Sequence, residues 1–262
     1  IPGDLTKNGE KESHKSFIKE LYRLKENGKK IFVITAGHDY NDSAYVLQGN
    51  GRVPVEGTDF KDLCEMYRDF GYGDAIAVDE LTHSYVAELT DGVRMLAICC
   101  DSPDQPKGAM DERLLAWTKK QLDCAKEAGC DVFAICHYPV LPIQPIFSII
   151  KSALMYDYKS VATLLADEGV HLVFTGHMHN QSINVLTTEK GNKLYDICTA
   201  TTVGTPGKYR KIEITEDGTM DVKSINVEGF TLPVEFETAE EFFDWRFKYS
   251  VKNKINKILE GG

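Results

Sequence analysis

Apolar and polar positions follow two different periods along this chain, which predicts helices and strands in alternation. Residues 10–27 and 112–128 carry apolar side chains at helical spacing, and each predicted helix is followed by a compact apolar run of strand length, at residues 30–35 and 131–136. A helix between two such strands is the connection that a parallel sheet requires. The pattern therefore predicts an α/β fold.

A second group of segments alternates with a period of two and predicts antiparallel strands. Residues 84–88 and 93–99 flank the turn Thr90-Asp91-Gly92, and residues 208–214 and 220–227 alternate apolar with polar side chains. Two sheets of different kinds, with helices outside them, favour a layered sandwich. Further predictions are helices at 58–70, 161–168 and 238–259, a strand at 171–175, and loops near the site at 40–57 and 140–157.

Several of the predicted strands end on residues that bind metal ions or transfer protons. The carboxyl ends of parallel strands meet at one edge of a sheet, so side chains from different strands converge there. Imidazole and carboxylate groups in such a place suit a transition-metal site. The residues concerned are Asp4 near the start of the chain, His38 and Asp39 after residues 30–35, His137 after 131–136, and His177 and His179 after 171–175.

Each of these residues also has a simpler interpretation when it is taken alone. Asp4 is typical of a turn, His137 of a hydrogen-bonded core histidine, the pair of His177 and His179 of a surface loop, and His38-Asp39 of a capping position. Their ordered occurrence at four strand ends favours a common site. The remaining histidines are expected to be structural or solvated: His14, on the exposed side of the first helix, His83 and His171.

The charge balance narrows the class of function. The 262-residue chain has 40 acidic and 30 basic residues, a net charge of −10, a pI near 5.2 and no cluster of Lys and Arg, which argues against binding to a nucleic-acid backbone. An acidic protein that binds phosphate needs a local positive field, and bound metal ions supply one. No apolar run reaches transmembrane length. The seven cysteines lie mostly in apolar runs, which favours the reducing cytoplasm, while export stays open.

In their order and strand context, these motifs resemble those of the calcineurin-like metallophosphoesterase superfamily, including its bacterial members. The motif series of the family is D-x-H, G-D-x-x-D/N, G-N-H-D/E, a single His, and G-H-x-H. The resemblance covers residues 1–227, and residues 228–262 are expected to form a helical extension. The matching residues are Gly3-Asp4 with Asn8-Gly9, His38-Asp39, His137, and Gly176-His177-Met178-His179.

The resemblance implies a fold, a reaction and a set of roles. The fold would be a four-layer α/β/β/α sandwich, here without its first strand. The reaction would be the hydrolysis of a small phosphate mono- or diester by a metal-activated water, with two divalent ions of Mn, Fe, Zn or Co. The implied roles are a metal bridge for Asp4, binding of the second metal for His137 and His177, binding of the first metal for His179, proton donation to the leaving group for His38, and a hydrogen bond to the other ring nitrogen of His38 for Asp39.

Two departures from the family pattern weaken the expected metal sites. The D-x-H motif is absent, so the chain is expected to be incomplete at its N-terminus and its first metal site to be impaired. Gly37 stands where the family has a metal-binding Asn. Both departures favour a second hypothesis, a catalytically weak protein of this fold that binds a phosphorylated ligand or partner without turnover. A purely structural role is a third interpretation, and the substrate and the oligomeric state are left open.

Overall fold

The computed structural model describes residues 1–48, 51–103, 106–150, 152–205, 207–215, 219–232 and 235–259. The chain divides into two compact units. The first contains Ile1–His177 and Ile183–Ile197, and the second contains Met178–Ser182 and the chain from Cys198 onward. The predicted domain boundary between residues 227 and 228 stays a prediction.

The described residues form α-helices, strands and short 3-10 helices. The helices are α1 (Lys11–Glu26), α2 (Leu63–Met66), α3 (Glu112–Glu127), α4 (Tyr158–Asp167) and α5 (Ala239–Leu259). The strands are β1 (Tyr45–Gln48), β2 (Gly51–Pro54), β3 (Ala75–Asp79), β4 (Ser84–Thr90), β5 (Val93–Ile98), β6 (Asp131–Cys136), β7 (Leu172–Thr175), β8 (Ser182–Thr187), β9 (Lys193–Cys198), β10 (Lys208–Ile214) and β11 (Met220–Asn226). The 3-10 helices are Phe60–Asp62, Arg68–Phe70, Tyr72–Asp74 and Pro145–Ile149.

A seven-stranded mixed sheet forms the centre of the first unit. Its strand order is β3-β4-β5-β6-β7-β9-β8. Strands β3, β4 and β5 pair antiparallel, which confirms the predicted hairpin, while β5, β6 and β7 run parallel. Helix α3 lies between β5 and β6 along the chain, and α4 lies between β6 and β7. This mixed sheet with flanking helices confirms the α/β class.

The two faces of this sheet bury separate cores because side chains alternate along each strand. On β5, Leu96 and Ile98 belong to the core that contains side chains of α3 and α4, whereas Met95 and Ala97 belong to the core that contains Leu21 of α1. All four of these β5 side chains are buried. Strands that are covered on both faces read as nearly continuous apolar runs, and this is why the sequence pattern located them.

The predicted strand at residues 30–35 forms an isolated parallel bridge, between Pro2 and Ile34, instead of a continuous ladder. The N–H of Val33 donates to the carbonyl of Phe70, which lies in a 3-10 helix and cannot extend the pairing. Val33 and Ile34 are nevertheless fully buried. The segment therefore lies in the core as predicted, with its hydrogen bonds divided between two neighbours.

Two predictions from the polar stretches are wrong in detail. Residues 40–57, predicted as a loop, contain the antiparallel hairpin of β1 and β2, most of whose side chains are exposed. Residues 58–70, predicted as one helix, form two 3-10 helices on either side of the short α2. The buried side chains Phe60, Leu63 and Phe70 are spaced in a way that either kind of helix can satisfy.

The second unit contains the hairpin of β10 and β11 and the helix α5. The hairpin pairs antiparallel from Lys208 opposite Asn226 to Ile214 opposite Met220, which confirms the predicted alternation. Residues 216–218, between the two strands, lie outside the described residues. Helix α5 confirms the helix predicted at residues 238–259. Among the helices described here, none has the length and apolar character needed to cross a membrane.

Candidate metal centre

Three of the predicted metal ligands lie together at the carboxyl-terminal edge of the parallel strands. His137 follows β6, His177 follows β7, and Asp4 lies just beyond Pro2. His137 Nε2 is 3.2 Å from Asp4 Oδ2 and also 3.2 Å from His177 Nδ1. We call Asp4, His137 and His177 the histidine cluster.

The backbone takes left-handed conformations at two members of this cluster. The φ angles are 54° at Asp4 and 61° at His177. Non-glycine residues rarely adopt such angles, and those that do are concentrated at functional sites. Gly3 has a φ of 88°, and a Cβ atom there would lie 2.9 Å from His137 Nδ1. The chain therefore accepts local strain, and keeps a glycine beside His137, where these side chains meet.

Backbone carbonyl groups fix the orientation of both imidazole rings. His137 Nδ1–H donates to the carbonyl of Pro2 at 2.8 Å, and His177 Nε2–H donates to the carbonyl of Ser152 at 2.8 Å. His137 consequently presents Nε2, and His177 presents Nδ1, to the space beside Asp4. Hydrogen bonds of this kind select the tautomer of metal-binding histidines.

The cluster has a definite charge pattern. Burial alone would lower the pKa of His137, but the carboxylate of Asp4 outweighs it and the net shift is upward. Burial alone would raise the pKa of Asp4, and its hydrogen bond with His137 gives a net shift downward. Burial, and then the charge of His137, lower the pKa of His177. An ionised carboxylate thus lies beside one imidazole that attracts a proton and one that stays neutral.

The donor types of the cluster, although not their present arrangement, match those of a metal site. Asp4 Oδ1 is buried and has no hydrogen-bond partner among the described residues, and an orphaned buried oxygen calls for a specific partner. Within the described part of the chain, no group of three or more His, Cys, Asp and Glu side chains converges as a finished metal site. In the histidine cluster the polar groups face one another instead. One carboxylate and two imidazoles still match the donors that Zn, Mn, Fe and Co prefer.

The structure corrects the predicted hydrogen bond between Asp39 and His38. His38 is exposed, and its Nδ1–H donates to the carbonyl of Lys7 at 2.6 Å. Asp39 is fully buried and accepts the N–H groups of Thr6 at 2.8 Å and Ala36 at 2.9 Å. The tight turn between Ala36 and Asp39 sends these adjacent side chains in opposite directions. Asp39 therefore joins the His38 turn to the N-terminal loop, and Lys7 orients His38.

His179 belongs to the second unit, since the unit boundary falls after His177. Like His177, it has a left-handed backbone, with a φ of 53°, and its side chain is exposed. Its assignment as a ligand of the first metal stays a prediction of the G-H-x-H motif.

Comparisons with known proteins show a similarity of fold. No family model and no curated protein matches the chain. The structure is similar to a dimetal phosphatase from Danio rerio, with a TM-score of 0.56 and 13% identity over 85% of this chain and 79% of that chain. This chain has a metallophosphoesterase-type fold. A second match, a candidate 5′-nucleotidase from Staphylococcus aureus in complex with α-ketoglutarate, has a TM-score of 0.43 and 12% identity over 88% of this chain and 44% of that chain.

His14 is buried and contacts the backbone of Asp39, contrary to its predicted exposure. It is fully buried on α1. Its Nε2–H donates to the backbone carbonyl of Asp39 at 2.8 Å, and its Nδ1 accepts the hydroxyl of Tyr67 at 2.6 Å. His14 precedes Phe17 and Leu21 by three and seven positions, so it shares their face of the helix. This spacing is the feature of the sequence that indicates a buried His14.

Asp101 is a buried carboxylate that the sequence analysis did not single out. It lies three residues beyond the end of β5 and is 1% exposed. It accepts the N–H of Gly37 at 2.8 Å and the N–H of Gly108 at 3.2 Å. Its charge acts on the pKa of both His137 and His177, so it lies near the histidine cluster. An acid after a predicted strand is the same signal that identified the other site residues.

The backbone conformation at position 37 does not require a glycine. It is not among the described glycines with a positive φ angle. A Cβ atom at this position would lie 3.2 Å from Asp101 Oδ2 and 3.4 Å from Lys107 Nζ. The position therefore faces a carboxylate and an ammonium group, and a larger side chain would have to share their space.

Asp196 is a second buried acid that the sequence analysis missed. This fully buried residue on β9 accepts the N–H groups of Val140 at 2.8 Å and Leu141 at 2.9 Å, and the hydroxyl of Thr175 at 2.6 Å. Burial raises the pKa of Asp196 to about 6. Its partners lie a few residues from His137 and His177, so Asp196 connects the segment after His137 to the strand before His177.

Proposed function

We propose that this chain hydrolyses a phosphate ester with a divalent transition metal held by Asp4, His137 and His177. The observation that carries the proposal is Asp4 Oδ1, a buried oxygen without a described partner, beside two imidazoles whose tautomers are fixed. The fold, which is that of a dimetal phosphatase, agrees with this assignment. His179 is proposed as a further ligand on its motif alone.

Asp4, His137 and His177 hold the cation in this proposal, and a different residue moves the proton. A bound divalent metal would supply an acidified water and neutralise charge on the phosphoryl oxygens. Asp4 contributes the negative charge that attracts the cation, and the carbonyls of Pro2 and Ser152 keep the rings of His137 and His177 in place. No step requires these backbone groups to move.

His38 is the proposed proton donor. Lys7 holds its Nδ1–H, so Nε2 is the ring atom left to face a substrate. In its protonated form, His38 gives the Nε2 proton to the departing alkoxide and returns as a neutral imidazole. Asp39 serves this step indirectly, because its two backbone hydrogen bonds hold the turn on which His38 lies.

A second candidate function is the binding of a phosphorylated ligand or partner without turnover. Gly37 favours it, because the position where the family has an amide ligand carries no side chain. Both candidates take a small phosphorylated molecule, and they differ only in the chemical step.

Hydrolysis of 4-nitrophenyl phosphate and bis(4-nitrophenyl) phosphate, measured with added Mn²⁺, Zn²⁺ or Co²⁺, tests the proposal. We expect metal-dependent release of nitrophenol that is lost in Asp4→Asn and kept in His171→Ala, a matched exposed histidine. Phosphate binding without hydrolysis of either ester would favour the second candidate. Neither binding nor hydrolysis with any of these metals would contradict both.

A further inference from the structure

Lys107 lies over the position where the resembled family has its amide ligand. Its Nζ atom is 3.4 Å from the point that a Cβ atom of residue 37 would occupy. The closest atom to that point is Asp101 Oδ2, at 3.2 Å. An ammonium group thus lies beside Gly37, one residue before His38, at an edge that also carries carboxylates and imidazoles.

The backbone that carries Lys107 is fixed rather than loose. Gly108, the next residue, donates its N–H to Cys100 at 2.9 Å and to Asp101 Oδ1 at 3.2 Å, and its carbonyl accepts the N–H of Tyr156 at 2.7 Å. Gly108 has a φ of 71°, and a Cβ atom there would lie 3.3 Å from three ring atoms of Tyr138. The turn therefore holds Lys107 at a defined place along the edge.

The charge of Lys107 is not used inside the described chain. Its side chain is exposed, and among the described residues it has neither an ion pair nor a hydrogen bond. Asp101, the nearby acid, places both of its oxygens on backbone N–H groups instead. An ammonium group beside a site, without an internal partner, is available to an anion from solution.

We propose that Lys107 binds a non-bridging phosphoryl oxygen of the substrate through the space that Gly37 leaves open. The inference rests on the proposed phosphoesterase function and identifies a residue for substrate binding within it. A lysine binds phosphate as a point charge with rotatable donors, so it needs an open approach and no rigid frame. The absence of a side chain at position 37 provides that approach. The missing side chain at Gly37 would thus have two effects: it removes an amide ligand of the metal, and it lets the ammonium group of Lys107 reach the phosphoryl group.

The test is calorimetric titration of the 262-residue chain with inorganic phosphate at saturating Mn²⁺. Lys107→Gln should weaken phosphate binding by about tenfold, the effect of one charged hydrogen bond, and should reduce its dependence on salt. Lys107→Arg should stay within about threefold of the original protein, because it keeps the charge. Lys120→Gln, which removes an exposed lysine of α3, should change nothing. Bound manganese, measured by mass spectrometry, should be equal in all four proteins.

The outcomes separate this inference from the proposed function. Equal phosphate affinities for Lys107→Gln and the original chain would overturn the role of Lys107, even if the chain hydrolyses esters. A chain that binds phosphate through Lys107 but hydrolyses nothing would support the inference while contradicting catalysis. An original chain without measurable phosphate binding, or an equal loss in Lys107→Arg and Lys107→Gln, would also overturn it.

Discussion

The two sides of the site edge are built in different ways. On the histidine side, Asp4, His137 and His177 contact one another, with rings oriented by backbone carbonyls and left-handed backbone at Asp4 and His177. On the glycine side, Gly37 offers no side chain, and Lys107 lies over it on a fixed turn. Partly buried groups on a strained backbone suit a cation, whereas an exposed charge beside an open space suits an anion. If both proposals hold, metal binding and phosphate binding depend on different residues of this edge.

Removal of a ring from the histidine side should have the largest effect. His137→Ala deletes one proposed ligand and leaves Asp4 and His177 without their shared neighbour. We expect metal affinity to fall by more than about a hundredfold, with hydrolysis falling in parallel. Equilibrium dialysis with Zn²⁺ and Mn²⁺, on protein shown to be folded by circular dichroism, measures this. If metal affinity were unchanged while His171→Ala behaves like the original protein, the histidine side would not be a metal site.

Loss of the proton donor should affect turnover without affecting metal. We expect His38→Ala to lower hydrolysis of alkyl phosphates by about a hundredfold, and that of 4-nitrophenyl phosphate much less, because nitrophenolate leaves without a proton. Kinetic assays on both substrates, together with metal analysis, check this. A fall in metal content would show that His38 is a metal ligand. It would then belong with Asp4, His137 and His177, and its role as proton donor would be wrong.

Asp39 should make stability depend on pH. Burial raises the pKa of Asp39 from 3.8 to about 7 in the folded chain, so the protonated form is favoured by folding. Its contribution to the unfolding free energy is then present below about pH 4 and lost as pH rises towards 7, by an amount on the order of a few kcal/mol. Asp39→Asn should remove this dependence, at the constant cost of one backbone hydrogen bond. Denaturant unfolding from pH 4 to 7 tests it, and equal pH slopes in both proteins would refute it.

A side chain restored on the glycine side should give the smallest change. Because Gly37 has no left-handed φ angle, Gly37→Asn needs only a shift of a few tenths of an ångström against Asp101. We expect the metal held by His137 and His177 to bind about tenfold more tightly, so that activity rises at limiting metal. At saturating metal we expect no gain, because the new side chain occupies the approach that Lys107 needs to reach phosphate. The measurement is a metal titration of activity. Superimposable titration curves would show that the metal has no open coordination position for the amide oxygen.

The proximity of Asp4, His137 and His177 could be predicted because two of the signals are local. Runs covered on both faces of the sheet read as apolar strands, and His137 and His177 follow their ends directly. The two buried acids that the sequence analysis missed have partners that are distant in the chain: Asp101 accepts from Gly37 across 64 positions, and Asp196 accepts from Val140 across 56. No periodicity encodes such contacts.

The errors over His14 and Asp39 have a different cause. Each depends on the direction of one side chain, which a shift of a single position can reverse. His14 was placed on the wrong face of α1, although its spacing from Leu21 matched the buried stripe. Asp39 was assigned to its neighbour His38, but the turn at Ala36 separates their directions.

The most direct test of the central claim is an anomalous difference map from a crystal of the chain loaded with Zn²⁺ or Mn²⁺. We expect a peak at bonding distance, about 2.0–2.3 Å, from a carboxylate oxygen of Asp4, from His137 Nε2 and from His177 Nδ1. A peak bound to other residues, or a loaded crystal with these three side chains still facing one another and no peak between them, would contradict the account.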